Sequence, residues 1–115
     1  MRRVILLSAL GAVALVFAGC YSWRESQVAE TKKRGDVVRH ALNEYRNKTG
    51  SFPKSLDALV PGYVKVVPQP TVGRRAWDYK AYLDNTGYLL SVARRSEREP
   101  ELHAAETGEW VYHTK

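Results

Sequence analysis

The chain has 115 residues, 44% apolar and 26% charged, and eighteen basic residues against twelve acidic ones give a formal net charge of +6. That length supports one small domain with a modest core and excludes two. The basic residues are scattered except for Lys32-Lys33-Arg34 and Arg74-Arg75, and no aromatic residues interleave with them to stack on bases, which argues against a nucleic-acid partner.

Met1 is followed by Arg2 and Arg3, then by an apolar run from Val4 to Phe17 broken only by Ser8 and Gly11, then by Ala18-Gly19-Cys20. This is a charged n-region, an apolar h-region and small residues before a cut. The run is shorter than the roughly 20 residues of a bilayer span. The paired arginines hold that end in the cytoplasm, so the rest of the chain is exported. Phe17-Ala18-Gly19-Cys20 resembles the bacterial lipobox, with Phe17 where leucine is usual. The resemblance implies a signal peptide over residues 1–19, peptidase cleavage between Gly19 and Cys20, and lipidation of Cys20. Cys20 is the lone cysteine. An exported protein with one cysteine cannot form an internal disulfide, and lipidation uses up the thiol that would otherwise stay free and reactive. The mature balance is then sixteen basic residues against twelve acidic ones, or +4. The alternative is an uncleaved anchor from Val4 to Trp23, a weak span because it contains Gly11, Gly19 and Tyr21-Ser22. Either way the domain is tethered to a membrane of the bacterial cell envelope and faces the periplasm or the exterior.

Residues 20–34 read as the lipidated cysteine and a polar tether or helix start, and residues 35–115 as the domain. Glu25 to Thr49 lacks proline, and Val38, Ala41, Leu42 and Tyr45 fall at i, i+3, i+4 and i+7, which predicts a helix with one buried face. Its first half, Glu25 to Arg34, is polar all round and is expected to fray or stand off as a spacer. Lys32 to Arg34 lie close enough to the lipid site to reach anionic headgroups, although a solvated helix start is the plainer reading. Gly50 is placed to close the helix. Beyond it, Ser55 is expected to cap a short turn that carries Leu56 and Leu59 inward. Tyr63 to Val67 reads as extended chain bounded by Pro68 and Pro70.

Trp77, Tyr79, Ala81 and Leu83 alternate with Asp78, Lys80 and Tyr82. Asp84-Asn85-Thr86-Gly87 supplies turn chemistry, and Tyr88 to Ala93 forms a second run, so the region reads as a β-hairpin. Arg94 to Gly108 is charged, carries Pro100 and reads as a loop, with Trp110 to His113 returning as a short third strand. The fold class is α+β: one long N-terminal helix packed on a small antiparallel sheet of about three strands.

The run Ala41-Leu42-Asn43-Glu44-Tyr45, Thr49-Gly50-Ser51-Phe52-Pro53, Ser55-Leu56, Leu59-Val60, Tyr63-Val64 and Pro68, with Trp77-Asp78-Tyr79 and Gly87-Tyr88-Leu89-Leu90, resembles the globular head of a pseudopilin, a family related to the type IV pilins and to the major pseudopilin of type II secretion. The resemblance covers Val37 to about Val92. It implies a long helix leading through a glycine and an aromatic-proline step into a small sheet. Two features depart from the family. Its members carry an apolar stem after their cleavage site with a glutamate at the fifth mature position. Here the apolar stretch precedes Gly19, the fifth residue after it is Arg24, and Glu25 to Arg34 is hydrophilic. The family's calcium loop corresponds to Ser91–Glu101, where glutamates alternate with arginines and no aspartate or glycine offers a tight oxygen cage. No calcium site is carried over.

Candidate chemistry is sparse. Asp36, His40 and Glu44 share a helical face that could present metal ligands, yet their spacing is that of ordinary i,i+4 pairs. His103 and His113 have no metal-ligand spacing. Arg34-Gly35-Asp36 matches an adhesion tripeptide by letters only. No serine stands in a nucleophile elbow and no glycine-rich phosphate loop is present. The reading is a non-enzymatic lipoprotein without metal or cofactor, which docks an envelope protein in a secretion or pilus-like assembly through its sheet and the Arg94 to Gly108 loop. Arg94 and Arg95 are the candidate contact residues. The alternative is a free-standing lipoprotein that binds a small ligand or peptide in a groove between helix and sheet.

Overall fold

The computed structural model describes residues 22–114; the signal-peptide, Gly19 and Cys20 assignments lie outside the described residues. The chain forms helix α1 (Glu25–Thr49), a 3-10 turn (Leu56–Leu59) and strands β1 (Trp77–Tyr82), β2 (Gly87–Val92), β3 (Glu101–Ala105) and β4 (Val111–His113). The strands make one antiparallel sheet in the order β1-β2-β3-β4, with α1 packed on one face. The fold is α+β, as expected.

α1 is one continuous element of 25 residues, about 37 Å at 1.5 Å per residue. Its buried residues are Val28, Thr31, Gly35, Val38, Ala41 and Leu42, a helical stripe that runs through both halves. The expected spacer is therefore a packed part of the domain. The stripe was hidden because its first half is built from a valine, a threonine and a glycine among charges. The bulk that fills this end comes from across the interface, from Trp23, Trp77, Trp110 and Tyr112 around Val28, Val72, Val92 and Leu102. Gly50 ends the helix with φ 93°, and its N–H donates to the Arg46 carbonyl at 2.7 Å; a left-handed residue here favours glycine.

The second half of α1 packs Val38, Ala41 and Leu42 against Phe52, Leu59, Tyr88 and Leu90. Tyr45 is half-buried beside Tyr63, their ring centroids 5.3 Å apart. Leu59 is buried and Leu56 half-buried. Ser55 precedes the 3-10 turn, but its hydroxyl caps nothing; the turn closes through backbone bonds such as Ala58 N–H to the Ser55 carbonyl.

The sheet differs from the expected one in two places. The Arg94 to Gly108 segment contains a full strand, β3, in which Leu102 and Ala104 are buried while Glu101, His103 and Ala105 are only partly so. Two inward residues are too few to announce a period of two, and Pro100 sits just before the strand, where a missing N–H is tolerated. The return expected as a third strand is the fourth. Leu83 does not continue β1: Leu83, Asp84 and Asn85 all adopt left-handed φ of 53°, 54° and 64°, and Leu83 is 72% exposed at the hairpin tip.

Candidate functional site

The end from which the N-terminal segment leaves is held by aromatic contacts. The Trp23 N–H donates to Tyr112 Oη at 3.2 Å, and its indole Nε1 donates to Glu99 Oε2 at 3.2 Å. The two rings stack with centroids 6.1 Å apart. Only Tyr21 and Ser22 separate Cys20 from this fixed point. A groove of about 390 Å³ beside it is lined by Trp23, Val28, Ala29, Lys32 and Tyr112, among others.

Arg94 and Arg95 lie in the loop before β3, where each pairs with a nearby carboxylate. Arg94 donates to the carbonyls of Glu97 and Glu99 and pairs with Glu101 at 3.3 Å. Arg95 meets the Glu99 carboxylate through both its backbone N–H and its guanidinium. Burial pushes the Glu99 carboxyl up, but the hydrogen bonds from Arg95 and Trp23 outweigh it and hold the pKa below the ordinary carboxylate value. The Arg95 side chain remains 70% exposed, against 26% for Arg94.

The open edge of β1 is a site the sequence reading did not single out. Ala93 N–H donates to the Ala76 carbonyl, and with Trp77 opposite Val92 the ladder pairs Asp78, Lys80 and Tyr82 inward to β2. The N–H and C=O groups of Trp77, Tyr79 and Ala81 therefore point away from the sheet, and no backbone partner meets them among the described residues. Beside this edge runs a groove of about 350 Å³, lined by Lys54 to Asp57, Val67, Gln69, Ala76, Trp77 and Tyr79. Its far wall is tied to β1 by two buried-side donors: Trp77 Nε1 to the Pro68 carbonyl at 2.7 Å and Tyr79 Oη to the Pro53 carbonyl at 2.6 Å. Burial pushes the Tyr79 phenol well above its ordinary range, so this donor keeps its proton. A meander in sequence order leaves its first strand at an edge, and that was the available signal.

The remaining polar clusters serve the fold. Asp36 accepts from Trp110 Nε1 at 2.8 Å, while His40 and Glu44 pair at 3.1 Å on the exposed surface. No group of three His, Cys, Asp or Glu residues that could hold a metal occurs among the described residues. His103 and His113 lie with ring centroids 6.3 Å apart on adjacent strands. Arg39 clips α1 to the sheet by donating to Tyr88 Oη, the Ala105 carbonyl and the Gly108 carbonyl. Glu106 accepts from Tyr82 Oη at 2.7 Å and from the Tyr88 N–H at 3.1 Å. Burial raises its pKa, yet these hydrogen bonds prevail and hold it below the ordinary value. No helix among the described residues is long and apolar enough to cross a membrane. No family model, curated protein or solved structure matches this chain.

Proposed function

We propose that this protein is a non-enzymatic lipoprotein of the bacterial envelope, tethered through Cys20, whose head docks an extended segment of a protein partner on the open edge of β1. The observation that carries the docking reading is the row of outward N–H and C=O groups on Trp77, Tyr79 and Ala81 beside a groove walled by Leu56, Val67 and Gln69. Adding a strand supplies main-chain hydrogen bonds, and the groove receives alternate side chains of the added segment, which gives selectivity. Arg95, the more open of the loop arginines, is a candidate second contact, with Arg94 holding its loop. The pseudopilin-like run of residues favours a secretion or pilus-like assembly as the setting. A stem that begins Glu25, Glu30, Lys32, Lys33 and Arg34 is unsuited to burial in a filament core, because unpaired buried charges are prohibitive.

The test is photocrosslinking in intact cells from position 76, at the start of the groove. A heterologous envelope protein is expected to be trapped there and not from position 84 at the hairpin tip. Ala81→Pro removes only an outward N–H, so it should abolish the crosslink while circular dichroism shows an intact sheet. Equal trapping from both positions, or trapping that survives Ala81→Pro in the folded protein, overturns the edge-docking reading.

A further inference from the structure

We infer that the end of the head carrying Trp23 is a contact surface for anionic phospholipid, an inference that rests on the lipoprotein reading. Three Cα steps separate Cys20 from Trp23, so the Cα atoms of the lipidated residue and of Trp23, which is hydrogen-bonded into the domain, lie at most about 11 Å apart. A tether that short holds the Trp23 end within reach of the headgroups, and attraction to their charge then sets how often that end docks on them.

What that end presents is suited to the position. The loop over residues 71–75 is clipped to the first turns of α1: Thr71 donates its N–H to Thr31 Oγ1 at 3.1 Å and its hydroxyl to the Gln27 carbonyl at 3.1 Å, and the Arg74 N–H donates to the Ala93 carbonyl at 2.8 Å. This holds exposed Arg74 and Arg75 beside the start of the loop over residues 94–100, which carries exposed Arg98 and whose Glu99 meets Trp23, the neighbour of exposed Arg24. Arg94 and Arg95 have carboxylate partners. Arg24, Arg74, Arg75 and Arg98 make no ion pair among the described residues. Against these four guanidinium groups, the acids at this end without an ion pair among the described residues are Glu25 and Glu97, since Glu30 pairs with Arg34 and Glu99 with Arg95. Guanidinium binds phosphate through paired donors, and a stacked tryptophan and tyrosine favour the headgroup level. The basic pair Arg74-Arg75, distant from Cys20 in sequence, thus joins the lipid-proximal end, where surface potential attracts it.

The experiment uses the full chain, purified in its membrane form and reconstituted in vesicles of phosphatidylethanolamine and phosphatidylglycerol, with a nitroxide on Ala29→Cys or on Asp84→Cys. The probe at 29 should be shielded from a water-soluble nickel chelate and the probe at 84 should be open to it. In phosphatidylcholine vesicles the shielding should fall, and in Arg74→Gln with Arg75→Gln the ratio of docked to undocked head should drop about fivefold for each arginine removed. Acylated protein whose two probes are equally open, or whose shielding ignores lipid charge, overturns this inference alone. A membrane form in which Cys20 carries no lipid and reacts with maleimide overturns the lipoprotein reading and the inference with it.

Discussion

The indole of Trp110 lies against the backbone of Gly35, so closely that a Cβ at position 35 would overlap Trp110 Cζ2 and Cη2 and approach Trp77 Cη2 to 3.0 Å. Glycine inside a helix normally costs up to about 1 kcal/mol relative to alanine. Here it admits an indole whose Nε1 is then bonded to Asp36 on the next residue of the helix, with the Arg39 guanidinium 5.6 Å from its ring centroid. Gly35→Ala should therefore destabilise the domain by about 1–3 kcal/mol, the range of overpacking. Urea unfolding decides the sign: a more stable variant would show that helix propensity prevails over the Trp110 contact.

Leu42 is fully buried among Val38, Phe52, Leu59, Tyr88 and Leu90. Leu42→Ala should cost about 2–5 kcal/mol, the loss expected for a buried large-to-small change. Denaturant unfolding that gives less than about half a kcal/mol would be inconsistent with this packing.

Glu99 and Glu106 both have folded pKa values below their ordinary 4.5. A carboxyl depressed on folding adds stability above its unfolded pKa, and that contribution is lost as pH falls through the unfolded value toward the folded one. Stability should hold at neutral pH and decline from about 4.5 downward. Glu106→Gln should flatten part of that decline in urea midpoints measured against pH. An unchanged profile in the variant would remove Glu106 from the account.

Leu83 occupies the left-handed region and is 72% exposed, so it carries a backbone cost with little burial in return. Asparagine tolerates that conformation better, and leucine there costs about 1 kcal/mol or more. Leu83→Asn should raise the thermal midpoint slightly, as scanning calorimetry can show. A fall would mean that Leu83 makes contacts worth more than its strain.

Intact mass of the membrane form should exceed that of residues 20–115 by a diacyl or triacyl group, and Cys20→Ala should accumulate with Met1 to Gly19 attached. A mature form that keeps the leader and an unmodified Cys20 would refute lipidation.

The parts of the fold that were legible in the sequence had strong local chemistry. Val38, Ala41 and Leu42 repeat with the helix, Gly50 stops it, and the Trp77 to Val92 hairpin alternates around turn residues. What escaped depended on long-range partners. Val28 and Thr31 become a buried face only because Val72, Leu102 and Thr71 come to meet them across the chain. β3 is concealed by Glu101 and His103, which occupy its outer face. For the site, basic and aromatic residues could be named from the sequence, but not that Arg94 is drawn into its own loop by Glu101 while Arg95 pairs with Glu99 and stays exposed. The open groups of β1 are backbone atoms that no residue type reveals.

The two edges of the sheet are unequal, with six residues in β1 and three in β4. Growth of a row by strand addition requires each newcomer to offer a second usable edge behind the one it employs. A head with one long edge and one stub can accept a strand but gives the next subunit little to hold. If the proposed strand docking holds, such a head would act as a terminus, fixing where a row of strands ends.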